Sequence, residues 1–237
     1  MIETYYVGAY WGPRHEAAEA CARRAERFFE LLGCCEPVWK HWFEAGDSFE
    51  HARTLPFTPT AENFMRLFGR EANQVGGGFR YWLWAGETPE EVTTLHGRCG
   101  LSDAWLMPAC VLTPPAQGPL SQRVVTAGVL SEVVRAMALA WEPDWCVATS
   151  DSHRDMLEMA GQSSDGFGGW VTYFSRQRGT VPSLPAPARS EPVEDKGSLV
   201  VLTPERFSVS NPEHMALAAR VQEVLSGAGL LRSEHLR

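Results

Sequence analysis

Tyr5-Tyr6-Val7-Gly8-Ala9-Tyr10-Trp11 is the most informative segment of the chain, and it ends at Gly12-Pro13. Aromatic and β-branched residues favour a strand, and a Gly-Pro pair favours a turn. From Arg14 onward the period becomes helical, because apolar residues recur three or four positions apart up to Leu32, and Gly33 predicts a helix stop. These apolar residues are Ala17, Cys21, Ala25, Phe28 and Leu32. The sequence therefore predicts a strand, a turn and a helix at its start.

The remainder of the chain alternates short apolar segments with amphipathic ones. Strands are predicted over 79–84, 92–99, 105–112, 145–149, 170–174 and 199–202. Helices are predicted over 60–68, 127–141, 151–159 and 212–226. Thr60 and Asn211 are predicted N-caps, and Ser150 and Asp151 are both candidates for the cap of the third helix. Segment 38–44 fits either type, and the Pro-rich stretch 182–192 is predicted to be an extended connection or an edge. This order predicts an α+β fold, in which helices pack against a mostly antiparallel sheet.

The chain has 237 residues, which is enough for one large domain or two small ones. We expect a single domain over 1–237. A subdivision into 1–112 and 120–237 is possible at Thr113-Pro114-Pro115-Ala116-Gln117-Gly118-Pro119. Each part mixes strands with one long helix, so the parts could be pseudo-similar halves, although no clear repeat relates their sequences.

Charge and hydropathy exclude several classes of protein. The chain has 21 basic and 29 acidic residues, a net charge of −8, which argues against direct binding of nucleic acid. No apolar run approaches the roughly 18 residues of a membrane-spanning helix, so no membrane partner is expected. The first residues lack the basic start and apolar core of a secretory signal. We therefore expect a cytoplasmic protein whose six cysteines are free thiols.

The residues that could carry chemistry do not form a strong motif. His96 and Cys99 are the only close histidine and cysteine pair, too few for a zinc site, so no metal and no cofactor are expected. Asp151-Ser152-His153 contains the three residue types of a catalytic triad, but consecutive side chains diverge. A thiol-dependent hydrolase that uses Cys99 with His96 remains an alternative.

Acidic and aromatic residues are the more distinctive features. Segment 142–165 holds six acidic residues against Arg154 alone: Glu142, Asp144, Asp151, Asp155, Glu158 and Asp165. They form either an ordinary solvated helix with its loops or a negative patch that selects a basic partner. Trp82 and Trp84 share one face of a predicted strand and are candidate interface anchors, as are Trp39 and Trp42, with core packing as the alternative.

Several segments occur together in a combination typical of one family. They are Tyr5-Tyr6-Val7-Gly8-Ala9-Tyr10-Trp11-Gly12-Pro13-Arg14, Glu19-Ala20-Cys21-Ala22-Arg23, Trp141-Glu142-Pro143-Asp144-Trp145, Gly169-Trp170-Val171-Thr172-Tyr173, Leu184-Pro185-Ala186-Pro187-Ala188-Arg189, Gly197-Ser198-Leu199 and Asn211-Pro212-Glu213-His214. In this combination the chain resembles the immunity protein 52 family over nearly its whole length, most clearly in the first 25 residues and the last hundred.

The resemblance implies a non-enzymatic inhibitor from a bacterial polymorphic-toxin system. Such proteins are encoded beside a toxin and bind it in the producing cell. The family is associated with nuclease toxins of a restriction-endonuclease-like class, often delivered by type VI secretion. We therefore expect an immunity protein that occludes or distorts the active site of a cognate toxin. A generic α+β interaction module is the third hypothesis.

Overall fold

The computed structural model describes residues 2–102, 106–161 and 166–232. Its strands are β1 (Tyr5–Tyr10), β2 (Trp42–Glu44), β3 (Pro56–Phe57), β4 (Gln74–Val75), β5 (Gly78–Ala85), β6 (Thr93–Cys99), β7 (Ala109–Thr113), β8 (Trp145–Ser150), β9 (Val171–Ser175), β10 (Arg189–Val193) and β11 (Gly197–Val201). Its helices are α1 (Ala18–Cys35), α2 (Phe49–Arg53), α3 (Ala61–Phe68), α4 (Gly118–Val124), α5 (Ala127–Trp141), α6 (Asp151–Met159) and α7 (Pro212–Gly227).

All these strands belong to one antiparallel sheet. Its order is β10-β11-β9-β8-β1-β7-β6-β5-β2-β3, and β4 pairs with β5 away from this path. The first strand of the chain lies at the centre, where β7 and β8 pair with its two edges. Strands from both sides of segment 113–119 therefore share one sheet. The predicted α+β class with a mostly antiparallel sheet is confirmed.

The helix starts predicted from N-caps are confirmed, but the first helix differs from its predicted bounds at both ends. The side chains of Thr60, Ser150 and Asn211 accept backbone N–H groups as predicted N-caps. Helix α1 begins at Ala18 rather than near Arg14, whose backbone N–H donates to Leu101 instead.

Gly33 does not stop α1, contrary to the prediction from sequence. The helix continues to Cys35, and a Cβ on Gly33 would lie 3.1 Å from Cγ of Lys40. The missing side chain therefore allows close packing rather than a turn. Glu36 is the C-cap of the helix, and its backbone is extended because the residue before a proline disfavours helical geometry.

Two neighbouring segments also differ from their predictions. Segment 38–44 is divided between a 3₁₀ turn over Pro37–Lys40 and strand β2, so it is helical in its first part and extended in its last part. The strand predicted over 105–112 is β7, which begins at Ala109, and residue 105 lies outside the described residues.

One face of the sheet, called the packed face here, is covered by α1, α3 and α5. Trp141 of α5 stacks on Trp11 and on Tyr81 of β5, at centroid distances of 5.5 and 6.4 Å. Phe64 of α3 packs edge-on against the same Tyr81 ring. The helices and this face of the sheet thus form a common aromatic core.

The other face is covered only over part of its width. Every residue of β8 and β9 is buried, whereas β5 and β6 alternate between buried and exposed side chains. Phe167 packs edge-on against Trp145 of β8, and Phe207 lies between His153 of α6 and His214 of α7. Segment 166–169, α6 and α7 therefore bury this face beside β8 and β9 but not beside β5 and β6.

In the part of the chain that the structure describes, no single helix is long and apolar enough to cross a membrane. Helices α4 and α5 pass the length and composition test only together, with a bend of 71° between them.

Candidate functional site

Strands β5, β6 and β7 present an uncovered sheet surface, called the open face here. Side chains alternate along a strand, so residues paired across these strands share this face. Its members are Arg80, Trp82, Trp84, Thr94, His96, Arg98, Ala109, Val111 and Thr113. All of them except Ala109 are exposed or half-buried, while the alternate positions on the packed face are mostly buried. Antiparallel sheets tolerate one solvated face, but aromatic and arginine side chains make this one unusual.

Trp82 is the most exposed aromatic side chain of the open face. It retains 57% of its accessible surface, and its ring centroid lies 6.0 Å from that of His96 on the neighbouring strand. Trp84, on the same face, is half-buried. The two other candidate anchors, Trp39 and Trp42, are core residues whose indole N–H groups donate to Thr93 and to the Trp39 carbonyl. The structure thus leaves only the β5 tryptophans available to a partner among these four.

Two arginines lie directly opposite each other on the open face. Arg80 of β5 pairs in register with Arg98 of β6. No carboxylate in the described ranges forms an ion pair with either guanidinium, although Nε of Arg80 donates to the Ala72 carbonyl. Burial, together with the nearby charge of Arg98, lowers the pKa of His96, so its ring is neutral near pH 7. The open face therefore carries two positive charges that form no ion pair with a carboxylate among the residues described.

Helix α6 borders the open face along β1. The guanidinium of Arg154 lies over the ring of Tyr6, with Cζ 5.4 Å from the ring centroid. Tyr6 and Tyr10 of β1 point to the same side of the sheet as Val111, because Gly8 between them pairs with Val111. The side of α6 that carries Arg154 therefore faces the uncovered part of the sheet.

Three of the predicted acidic residues surround that arginine. Arg154 donates to Asp151 at 2.9 Å and to Asp155 at 2.8 Å, and its Nε lies 4.0 Å from Glu158. Asp151 also accepts the Thr4 hydroxyl at 2.6 Å, which ties the start of α6 to the chain before β1. Three carboxylates share one guanidinium, so this row on α6 has a net charge of −2.

Glu142 and Asp144 lie elsewhere, at the end of α5. Glu142 accepts from Lys196 and from Arg24, and these hydrogen bonds lower its pKa although burial acts in the opposite direction. Asp144 accepts the backbone N–H of Gly12 at 2.9 Å. Both residues line a cleft of about 660 Å³ at the end of the sheet.

The five predicted acidic residues that the structure describes therefore do not form one continuous patch. Strand β8 lies between Asp144 and Asp151, and its six residues span about 20 Å. The α6 group borders the same uncovered surface as Trp82 and Trp84, but it is not adjacent to them. Asp165 lies outside the described residues.

Cys99 and His96, the pair of the hydrolase hypothesis, do not lie on the same face of the sheet. His96 belongs to the open face, while Cys99, three residues further along β6, points to the packed face and is fully buried. A hydrogen bond with Cys21 and burial raise the pKa of Cys99 well above its usual value, which makes it a poor nucleophile. The pair proposed from sequence is therefore not a catalytic dyad.

His153 is not part of a triad either. Its Nδ1 lies 2.9 Å from Oγ1 of Thr149, and burial lowers its pKa to about 4. Asp151, two residues away, is instead paired with Arg154 and Thr4. Across the described residues, no group of three or more histidine, cysteine, aspartate or glutamate side chains could hold a metal ion.

This geometry defines an α+β protein whose most distinctive surface suits contact with another macromolecule. Its fold is similar to that of a solved structure, the "Pseudomonas aeruginosa T6SS protein PA0821". The two share 11% sequence identity and a TM-score of 0.59, over 99% of this chain and 79% of that one. A search of curated protein sequences finds no match. The sequence profile of immunity protein 52 matches residues 3–234, so the chain belongs to the immunity protein 52 family.

Proposed function

We propose that this chain protects the bacterium that makes it by binding a cognate secreted antibacterial toxin in the cytoplasm. The observation that carries the proposal is the immunity protein 52 profile, which extends over almost the whole chain. The resemblance of the sequence to that family implies a partner-binding inhibitor that is encoded beside its toxin. The uncovered aromatic and charged sheet surface supports the same role, because aromatic and arginine side chains are enriched in interface hot spots.

The toxin is a nuclease delivered by type VI secretion in this proposal. The family's association with nuclease toxins supports that choice, and so does the net charge of −8. A nuclease has a basic groove for its substrate, and an acidic protein is drawn towards such a groove. The similar fold of a type VI secretion protein is consistent with the delivery route.

Inhibition proceeds by occlusion or distortion of the toxin's active site. Protection at low intracellular concentration needs a Kd near 1 nM or below, which corresponds to about −12 kcal/mol. An interface of ordinary size, roughly 1,600 Å² in total, reaches such an affinity when it contains well-buried anchors. No bond has to be made or broken by the immunity protein in this mechanism.

Co-expression with the toxin gene adjacent to this one tests the proposal. We expect cells that express the toxin to grow when the chain is present, to keep their DNA intact, and to yield both polypeptides as one purified complex. Cells that express the toxin with an unrelated acidic α+β protein are the control for charge alone. Equal killing with and without the chain would overturn the proposal, and rescue without DNA protection would reject the nuclease assignment.

A further inference from the structure

We propose, on the basis of the function above, that the open face and the acidic row of α6 together form the surface that binds the toxin polypeptide. The toxin surface that fits it is bipolar. It carries acidic side chains opposite Arg80 and Arg98, a recess for Trp82 beside Arg80 on β5, and basic side chains opposite Asp155 and Glu158.

The opposed arginines are the first observation that points to an acidic partner. Like charges directly opposite on an antiparallel pair repel each other, and this pair has no carboxylate in the described chain to offset the repulsion. Elsewhere the protein neutralises many of its arginines, as with Arg24, Arg123 and Arg135, which each pair with glutamate. A carboxylate from a bound partner would stabilise both guanidinium groups at once.

Trp82 is the second observation, and it concerns an apolar anchor. Large apolar side chains that remain exposed in the described residues are few: Ile2, Trp82, Met107, Met156 and Met159. Trp82 is on the open face. Met156 and Met159 belong to α6, but Met156 is two positions from both Arg154 and Glu158, so it lies on the opposite side of the helix from the acidic row. Trp82 is therefore the exposed apolar side chain on which the proposed surface depends. Tryptophan buries a large apolar area and is enriched in interface hot spots.

The acidic row of α6 supplies the opposite sign. Arg154 is shared by Asp151, Asp155 and Glu158, so two negative charges remain for a partner. Asp155 and Glu158 are more than half exposed. These carboxylates are held in place by Arg154, which itself lies over Tyr6. The row is therefore available to a basic side chain of the toxin without a change in the fold.

The distribution of charge favours a protein over other occupants. A nucleic acid or an anionic membrane would be attracted by Arg80 and Arg98 but repelled by the α6 carboxylates. A protein partner can match both signs across one interface, which also fixes its orientation. Glu142 is excluded from this surface because Arg24 and Lys196 already neutralise it at the end of the sheet.

Binding measurements with purified toxin from the adjacent gene and full-length variants test this assignment. We expect Trp82→Ala to raise Kd roughly 30-fold or more, the usual loss at a hot spot. Arg80→Glu should weaken binding more than Arg80→Gln, because only the former repels an acidic partner. The double variant Asp155→Lys, Glu158→Lys should mainly slow association, and the effect should shrink at high salt.

Matched controls come from α3, which lies on the packed face. Arg66 and Glu62 form an exposed pair there, so Arg66→Glu and Glu62→Lys reverse the same charges away from the proposed surface. Both should bind the toxin as the unchanged chain does. Thermal unfolding identifies any variant that is not folded, and Arg80→Gln then serves in place of a misfolded Trp82→Ala.

The outcomes separate the two proposals. If the unchanged chain binds and protects, but folded Trp82→Ala and Arg80→Glu variants do so equally well, the docking assignment is wrong while the proposed function stands. If light scattering shows a dimer that Trp82→Ala dissociates, the open face binds a second copy and the assignment is again wrong. If the unchanged chain neither binds nor protects, the proposed function fails and the assignment fails with it.

Discussion

Gly97 of β6 shows how a single missing side chain shapes the core. A Cβ at this position would lie 2.3 Å from Cζ of Tyr81, the residue opposite in β5. The Tyr81 ring is buried among Trp141, Phe64 and Phe68, so it cannot move aside. We expect Gly97→Ala to lower the free energy of unfolding by about 1–3 kcal/mol, the usual cost of overpacking, as measured by chemical denaturation.

Gly128 is the control for this substitution. It lies in α5, and a Cβ there would meet nothing within 4 Å. Gly128→Ala should therefore stabilise the protein by roughly 0.5–1 kcal/mol, because alanine loses less backbone entropy in a helix. Equal effects of the two substitutions would contradict the packing explanation.

His153 makes stability depend on pH. Burial lowers its pKa from 6.5 to about 4, so the folded protein keeps the ring neutral where the unfolded chain binds a proton. The contribution of the neutral, buried His153 ring to the free energy of unfolding is complete above about pH 6.5 and is lost as the pH falls towards 4. The full shift corresponds to roughly 3 kcal/mol. We expect the free energy of unfolding to fall by about 2 kcal/mol between pH 7 and pH 5 through this group.

The variant His153→Gln isolates that contribution from the carboxylates that titrate in the same range. Glutamine can still hydrogen-bond to Thr149 but does not titrate. Its unfolding free energy, measured by denaturant titration at each pH, should be lower than that of the unchanged chain at pH 7. The difference should narrow towards pH 4, and parallel curves would show that His153 does not titrate on unfolding.

Glu142 connects three elements that are distant in sequence. It joins the end of α5 to Arg24 of α1 and to Lys196 of the β10–β11 turn. Because these groups are partly exposed, we expect Glu142→Gln to lower the unfolding free energy by no more than about 1 kcal/mol. Toxin affinity should not change, since the open face and α6 are untouched. The lowered pKa of Glu142 means that its contribution is lost as the pH falls through that pKa.

Glu30→Gln is the matched control, because Glu30 pairs with Arg27 on a highly exposed part of α1. Its effect on stability should be smaller than that of Glu142→Gln. A marked loss of toxin affinity in Glu142→Gln, with normal binding by Glu30→Gln, would place the end of α5 in the interface and contradict this division of the acidic residues.

Secondary structure was predictable where a local signal was complete. The aromatic run of β1, the N-caps Thr60, Ser150 and Asn211, and the apolar period of α5 all correspond to the elements observed. Predictions failed where distant contacts decide the conformation. Gly33 stays helical with Lys40 packed close to it, and β3 has only two residues, which exist as a strand through pairing with β2.

The site was only partly predictable for a related reason. Alternation along 79–84 places Trp82 and Trp84 on one face, but no local pattern tells whether a helix covers that face. Arg80, Arg98 and Val111 were missed because their common surface arises from pairing of β5, β6 and β7. The alternation of polar residues over Thr94, His96 and Arg98 was the available signal for a solvated face. Acidic residues close in sequence were separated because β8 runs between them.

The whole chain should unfold as one unit. Strand β1 pairs with β7 on one edge and with β8 on the other, so the sheet joins the parts before and after segment 113–119. We expect a single transition in which circular dichroism and tryptophan fluorescence coincide. A fragment of residues 120–237 lacks β1 and should not fold alone. Two separate transitions, or a folded 120–237 fragment, would instead support two domains.

Titration of toxin activity against increasing amounts of this protein tests the central claim most directly. If the protein acts by binding, toxin activity should fall linearly with the amount of protein added and reach zero near one equivalent of protein per toxin. Dissociation of the complex should restore the toxin activity. Loss of activity far below one equivalent, persisting after the two polypeptides are separated, would show that the chain modifies the toxin chemically and would contradict inhibition by binding.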